Sequence, residues 1–182
     1  MSIYALKPAF QNLLRPLVRR LFGLGVTANQ VTTAAALVSV ALGALLWWQG
    51  AGDRRLFLLL PLWMFLRMAL NAIDGMLARE FGQKSRLGAM LNELGDVVSD
   101  AALYAPFALV APFPPAWVGL VIVLATISEF AGALGPTIGA QRRYDGPMGK
   151  SDRAAVFGAL ALWIGAGGAL LIGLAAATPQ GA

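Results

Sequence analysis

Residues 27–49 read TANQVTTAAALVSVALGALLWWQ, a stretch without a charged residue. A helix needs about 20 apolar residues to cross the roughly 30 Å hydrocarbon core of a bilayer, so this stretch is long enough to span a membrane. Four later stretches have a similar length and an apolar composition: residues 55–79, 88–111, 115–140 and 153–177. The sequence therefore predicts an all-α fold, a polytopic membrane helical bundle with about five spans.

The composition supports a membrane protein and narrows the chemistry. Hydrophobic residues make up 58% of the 182 residues and charged residues only 13%, whereas soluble domains carry roughly 25% charged residues. The chain has no cysteine and no histidine, which excludes thiolate metal sites and removes the commonest general base. Any catalysis must rest on carboxylates, arginine, lysine, serine, tyrosine or a metal ion.

The first 22 residues differ from the spans. Apolar side chains recur there at helical spacing, with basic residues between them, which is typical of an amphipathic helix lying in the membrane interface. The apolar set is Leu6, Phe10, Leu13, Leu14, Leu17 and Leu21, and the basic set is Lys7, Arg15, Arg19 and Arg20. We therefore expect one domain over residues 1–182, with an interfacial helix at 1–22 and a transmembrane bundle at 27–177.

The distribution of basic residues predicts the topology. Four precede the first span, three lie between the second and third spans, and four lie between the fourth and fifth, which together are eleven of the fourteen. By the positive-inside rule, the N-terminus and these loops face the cytoplasm. The net charge of +5 is then explained by topology and by anionic membrane lipid, without nucleic acid as a partner.

Ionisable residues inside the predicted spans are the candidates for function. A carboxylate near the centre of a membrane helix costs about 2.5–3.5 kcal/mol, so such groups face the bundle interior, paired or bound to metal. The acids are Asp74, Glu93, Asp96, Asp100 and Glu129, and the base is Arg67. An ion pair between Arg67 and Asp74 is one structural explanation, but it leaves the other four acids unexplained.

Helical spacing gathers these polar residues on two faces. Glu93, Asp96 and Asp100 fall within roughly a 60° arc, and Asn92 lies just beside it. Asn71, Asp74, Gly75 and Ala78 share one face of the preceding helix. Carboxylate and amide oxygens without histidine or cysteine suit hard cations such as Mg²⁺ or Mn²⁺. The two faces are joined by a short basic loop, so we expect them to converge near the cytoplasmic end.

The same residues carry a family signature. Residues 74–79 read DGMLAR, and Gly88, Asn92 and Asp96 follow at fixed spacing. This resembles the CDP-alcohol phosphatidyltransferase signature D-x2-D-G-x2-A-R-x8-G-x3-D-x3-D, with Asn71 in its first position. All the spacings and six of its eight defined positions agree. Members of this family are usually homodimeric helical membrane enzymes with six spans, against the five predicted here.

The resemblance implies roles by position. Asp74 would be a metal ligand holding the diphosphate of the donor, and Asp96 would be the general base. Gly75 and Ala78 would make room for the cytidine nucleotide, and Arg79 would help to neutralise its phosphates. Mg²⁺ or Mn²⁺ would bridge the phosphates and stabilise the charge on the leaving group.

Two positions depart from the signature. Asn71 and Asn92 stand where the family has acids. Asparagine coordinates metal through its carbonyl oxygen but supplies no charge, so metal affinity should fall. Glu93 or Asp100, on the same helical face as Asp96, would restore that charge. An inactive relative is the alternative.

The basic segment 142–153 is the candidate site for the acceptor. Its residues 149–151 read GKS, but the first glycine of a P-loop would fall at Tyr144 and no strand precedes it, so we reject that motif. Lys150 and Arg153, at a helix start, would hold the phosphate of a phosphorylated acceptor. For Arg142 and Arg143, positive-inside charge alone is the simpler explanation.

These observations predict a phospholipid-biosynthetic enzyme in a bacterial inner membrane with its site facing the cytoplasm. It would transfer a phosphatidyl group from CDP-diacylglycerol to an alcohol or alcohol phosphate and release CMP. The alternatives are a CDP-aminoalcohol:diacylglycerol phosphotransferase, a non-enzymatic relative, and a small cation transporter that uses the acidic cluster.

Overall fold

A computed structural model describes residues 7–139 and 149–168. The described part contains six α-helices and no strand. Their bounds are α1 Lys7–Gly23, α2 Ala28–Gln49, α3 Leu59–Glu80, α4 Arg86–Tyr104, α5 Pro115–Leu134 and α6 Lys150–Gly165. Short 3₁₀ turns cover Arg54–Leu58, Ala105–Leu109 and Gly135–Ile138. The predictions for Arg142 and Arg143, and for the last part of the fifth span, lie outside the described residues. The all-α bundle is confirmed.

Three of the predicted spans are long and apolar enough to cross a membrane: Ala28–Gln49, Arg54–Glu80 and Pro115–Leu134. The third and fifth predicted spans, now α4 and α6, do not meet that standard in the described part of the chain. Helix α4 is too charged, yet Asp96 and Asp100 on it are buried inside the bundle. Helix α6 has 16 residues, and residues 169–177 of the predicted span lie outside the described part of the chain.

Helix α1 packs along α3. Val18 is fully buried between the two helices, and the rings of Phe10 and Phe65 lie 6.3 Å apart. Its outer face exposes Leu13 and Leu17, as expected for an amphipathic helix that also contacts lipid. The helix is present as predicted, and its position in the membrane interface remains a prediction.

Buried apolar side chains form two clusters, one toward each end of the bundle. The cluster near the start of α2 contains Val18, Ala28, Val31, Ile73, Met76 and Leu77. The larger cluster includes Leu46, Phe57, Leu60, Met64, Leu103, Tyr104, Phe107, Phe157 and Ile164. Along α3, α4 and α6, buried charged residues come just before or after the members of these clusters. A layer of charge therefore lies next to the larger cluster, toward the end where α2, α4 and α6 begin, which we call the site end.

Helices α2 and α4 approach each other closely. A Cβ added at Gly43 would lie 2.3 Å from the backbone oxygen of Ala102, so only glycine fits that position. At the site end, the Gln83 side chain accepts a hydrogen bond of 2.7 Å from the backbone nitrogen of Ala28. The loop between α3 and α4 is thereby tied to the start of α2, and the polar faces of the three helices are held together.

Exposed tryptophans mark the opposite end of the bundle. Trp47 and Trp48 lie at the end of α2, Trp117 lies at the start of α5, and all three are exposed. Tryptophan is enriched where membrane helices meet the headgroup region. Their position agrees with a bundle whose long axis crosses the bilayer.

Candidate functional site

Six charged side chains form one connected layer across four helices. Three are cationic and three anionic, and each contacts its neighbours in the order Lys150, Asp96, Arg67, Asp100, Arg153, Glu129. We call these six residues the charged layer. Because the charges alternate and balance, each carboxylate has a cationic partner, which is the arrangement that makes burial of charge tolerable.

Arg67, on α3, joins two acids of α4. Its Nη1 lies 2.5 Å from Oδ1 of Asp100, and its Nη2 lies 3.1 Å from Oδ1 of Asp96. The same Nη2 donates to the backbone oxygen of Asp96 at 3.2 Å. Asp96 and Asp100 are four residues apart, so they lie on one face of α4. A planar guanidinium with several fixed donors can contact both, and it therefore fixes the Asp96 side chain.

Arg153, on α6, joins α4 to α5. Its Nη2 lies 3.3 Å from Oδ2 of Asp100 and also contacts Oε1 of Glu129. The side chain is only 4% exposed. The sequence analysis assigned Arg153 to the phosphate of an acceptor, and the structure instead shows it bonded to two acids inside the bundle.

The suggested ion pair between Arg67 and Asp74 is wrong. Arg67 pairs with Asp96 and Asp100. Residues seven apart on a helix are separated by roughly 10 Å along its axis, which is far for a direct contact within α3. The facing helix α4 offers two carboxylates at closer range.

Asp74, on α3, is held from α2. The Thr32 hydroxyl lies 2.8 Å from Oδ2 of Asp74 and 3.0 Å from the backbone oxygen of Ala28. Its single proton favours the carboxylate, because hydrogen bonds to a charged acceptor are stronger. Asp74 and Asp96, the two signature acids that this chain retains, are both buried in the bundle.

The small residues of the signature make room for side chains. A Cβ at Gly75 would lie 2.8 Å from Nη2 of Arg79, so the glycine lets the Arg79 guanidinium fold back over α3. Arg79 is exposed, and Ala78 is half-buried against the apolar cluster of the site end. A Cβ at Gly88 would lie 2.6 Å from the Asn29 side-chain oxygen, which packs the start of α2 against the start of α4.

The other predicted metal ligands lie on the same two helices as Asp74 and Asp96. Asn71 and Asn92 are half-buried, on α3 and α4 respectively. The Asn92 amide donates to Oε1 of Glu93 at 3.2 Å. Asp100, by contrast, has both oxygens against arginines, so its charge balances the arginines.

Lys150, the first residue of α6, lies on Asp96. Its Nζ contacts Oδ2, while Oδ1 of the same carboxylate contacts Arg67. The Lys150 side chain is 25% exposed, more than the other members of the charged layer. Lys150 therefore lies where the layer meets solvent.

The sequence profile of the CDP-alcohol phosphatidyltransferase family matches residues 25–179. The chain belongs to this family. The family is one of transferases of phospholipid synthesis that use a CDP-alcohol, and the resemblance seen in residues 74–96 is confirmed.

Two relatives illustrate the range of the family. Inner membrane protein YnbA of Escherichia coli (strain K12) is 51% identical over 163 residues, which cover 90% of this chain and 79% of YnbA. A phosphatidylinositol phosphate synthase of Mycobacterium marinum is 33% identical over 102 residues, which cover 54% of this chain. The match spans only 40% of the synthase. No solved structure matches the chain significantly.

Family members use divalent metal, and the donor chemistry of this chain fits such an ion only in part. Asp74 on α3 and Asp96 on α4 are hard oxygen donors, and Asn71 and Asn92 lie one turn before them on the same helices. Within the described residues, no group of three or more acids is placed to hold a metal ion together. A divalent cation is therefore compatible with Asp74 and Asp96, at lower charge than the full signature provides.

Sequence reasoning missed three contributions to this site. It did not assign Thr32 as the donor to Asp74, Arg67 as the link between two acids, or Glu129 as the partner of Arg153. Arg67 and Glu129 had a signal, since both are charges within predicted spans. Thr32 had none, because threonine is common in membrane helices and its partner lies 42 residues away.

Proposed function

We propose that the chain transfers a phosphatidyl group from CDP-diacylglycerol to an alcohol or alcohol phosphate, with release of CMP. The observation that carries this proposal is that both retained signature acids are held inside the bundle: Thr32 holds Asp74, and Arg67 fixes Asp96. Asp96 has the last position of the family signature, and Asp74 the second.

The donor would lie with its acyl chains in lipid and its diphosphate at the site end. Gly75 makes room for the guanidinium of Arg79, and the exposed Arg79 is available to the phosphates. Ala78, one turn after Asp74, keeps the side chain on that face small. Asp74 and Asp96, with oxygens of Asn71, Asn92 or Glu93, would hold a Mg²⁺ or Mn²⁺ ion, which would supply positive charge to stabilise the departing CMP.

Asp96 would act as the general base. It accepts the proton of the acceptor hydroxyl, whose oxygen forms a bond to the phosphorus attached to diacylglycerol. The bond between that phosphorus and the oxygen bridging to CMP breaks, and CMP leaves with the electron pair. Arg67 keeps the Asp96 carboxylate in place.

The partly exposed cation of the charged layer supports a phosphorylated acceptor. Lys150 lies at the solvent boundary of the charged layer, and an ammonium is a good partner for a phosphate. Arg153 would act indirectly, since it is buried against Asp100 and Glu129. The name of the Mycobacterium marinum relative, a phosphatidylinositol phosphate synthase, supports an alcohol phosphate as acceptor.

The location and assembly are part of the same proposal. We propose a homodimer in a bacterial inner membrane with the site end facing the cytoplasm. The excess of basic residues in the loops of that end supports the orientation, and the name of the Escherichia coli relative supports the membrane.

The test is CMP release by the purified full chain in detergent. CDP-diacylglycerol is supplied with Mg²⁺ or Mn²⁺ and a panel of alcohols and alcohol phosphates. Asp96→Asn should lower the rate about 10²–10⁴-fold, the usual contribution of a general base, and Asp74→Ala should abolish it. Asp152→Asn is the matched control, because Asp152 lies in the first turn of α6 with an exposed side chain.

Other outcomes would replace the proposal. CMP release from CDP-choline with diacylglycerol, and none from CDP-diacylglycerol, would indicate the reverse pairing of donor and acceptor. Cytidine nucleotide binding without turnover would indicate a silent relative. Ion flux in liposomes that Asp100→Asn abolishes, without CMP, would indicate a transporter.

A further inference from the structure

We infer that Lys150 competes with the divalent cation for Asp96. Both oxygens of Asp96 already have cationic partners, Arg67 on Oδ1 and Lys150 on Oδ2. A metal ion that uses this carboxylate must therefore come close to a cation already in contact with it, and the repulsion between the two favours displacement of that cation. This inference rests on the proposed metal site.

Lys150 is the cation of the charged layer that can leave. Arg67 and Arg153 each contact two acids and are about 6% and 4% exposed. Lys150 contacts one acid in the described structure and is 25% exposed. Its compact ammonium is carried on a flexible four-carbon stem, whereas the arginines hold their partners with rigid, planar groups. Displacing Lys150 breaks one ion pair and exposes no buried arginine.

The departures from the signature explain why a protein cation lies there. With asparagine at positions 71 and 92, the site has two fewer negative charges to attract metal. The ammonium supplies a second positive charge at Asp96 when metal is absent, on the oxygen that Arg67 does not contact. Metal and Lys150 both carry positive charge, and they repel each other when both are close to Asp96.

Displacement has a direct consequence for ligands. A Lys150 side chain that leaves Asp96 remains at the start of α6, where its charge is no longer neutralised by that carboxylate. A phosphate group entering the site is the partner that restores the balance. Binding of metal thus prepares Lys150 to receive an anionic ligand.

The experiment is Mn²⁺ binding to the purified full chain in detergent, followed by the electron paramagnetic resonance signal of free Mn²⁺. Lys150→Met should tighten Mn²⁺ binding by roughly tenfold, because one repulsive charge at about 4 Å is removed. Lys150→Arg keeps the charge and should leave the affinity close to that of the unsubstituted chain. Lys84→Met is the matched control, an exposed lysine in the loop between α3 and α4, and should change the affinity little.

Asp96→Asn makes the test specific. In that background, Lys150→Met should tighten binding much less, because the carboxylate for which the two cations compete is gone. An unchanged or weaker Mn²⁺ affinity in Lys150→Met, or no Mn²⁺ binding by any variant, would overturn the inference.

CMP release is measured separately on the same samples. If the chain releases CMP but Lys150→Met leaves the Mn²⁺ affinity unchanged, this inference alone is refuted. A chain with the expected Mn²⁺ affinities and no CMP release supports the competition and refutes the proposed function.

Discussion

Removing Arg67 should destabilise the bundle more than removing an exposed arginine. Arg67→Met deletes the contacts of 2.5 Å to Asp100 and 3.1 Å to Asp96. Breaking a buried ion pair by deleting one partner costs about 3–5 kcal/mol. Asp96 keeps Lys150 and Asp100 keeps Arg153, so neither acid loses all its partners. We therefore expect the lower end, a loss of about 3 kcal/mol.

The magnitude can be checked by equilibrium unfolding in mixed micelles with increasing SDS, followed by the fluorescence of the five tryptophans. Arg15→Met is the matched control. Arg15 pairs with Glu80 at 2.6 Å, but the two side chains are 36% and 33% exposed. An exposed pair contributes about 0–1 kcal/mol, so the two arginine variants should differ clearly.

A second substitution tests the reason for the loss. Arg67→Met leaves three acids and two cations in the charged layer. Adding Asp100→Asn restores the balance, with Lys150 on Asp96 and Arg153 on Glu129. The double variant should recover at least about 1 kcal/mol relative to Arg67→Met. If it recovers nothing, or if Arg67→Met costs no more than Arg15→Met, charge balance does not explain the stability of this layer.

Three further outcomes are expected. Thr32→Val should lower the free energy of unfolding by about 1–3 kcal/mol, because Asp74 loses a buried hydrogen-bond donor. Thr33→Val, at an exposed position, should change it by less than about 0.5 kcal/mol. Equal effects of the two substitutions in the SDS titration would contradict the role of Thr32. Gly43→Ala should destabilise by about 1–3 kcal/mol through overpacking against α4, while Gly119→Ala, where a Cβ meets nothing within 4 Å, should not, and a tolerated Gly43→Ala would refute the close approach. EDTA should stop CMP release and added Mg²⁺ or Mn²⁺ should restore it; release that persists without divalent metal would exclude the proposed metal site.

The predicted roles that the structure modifies involve long side chains. Lys150 and Arg153 were both expected to hold an acceptor phosphate, and the structure divides them. Lys150 remains near solvent, and Arg153 is buried between two acids. They are three residues apart and share a helix face, but Arg153 lies one turn deeper. Sequence spacing predicts the helix face, but it does not predict what a long side chain contacts on the neighbouring helices.

The metal ligands show the same limit. Spacing along α4 correctly places Asp96 and Asp100 on one face, and it also suggested that Asp100 would replace the charge missing at Asn92. The structure gives Asp100 to Arg67 and Arg153. Neither arginine is near Asp100 in sequence, at 33 and 53 residues away, so no local pattern could have assigned these pairs.

The sequence by itself determined that this chain is an all-α membrane bundle of the CDP-alcohol phosphatidyltransferase family. Those conclusions depend on apolar length, loop charge and the spacing of residues 74–96, all of which are local properties. Only the tertiary structure decided which group contacts each buried charge: Thr32 contacts Asp74, Arg67 contacts two acids, and Lys150 contacts Asp96. The physical reason is that a buried charge is stabilised by whichever opposite group lies within a few ångströms, and helix packing sets that distance.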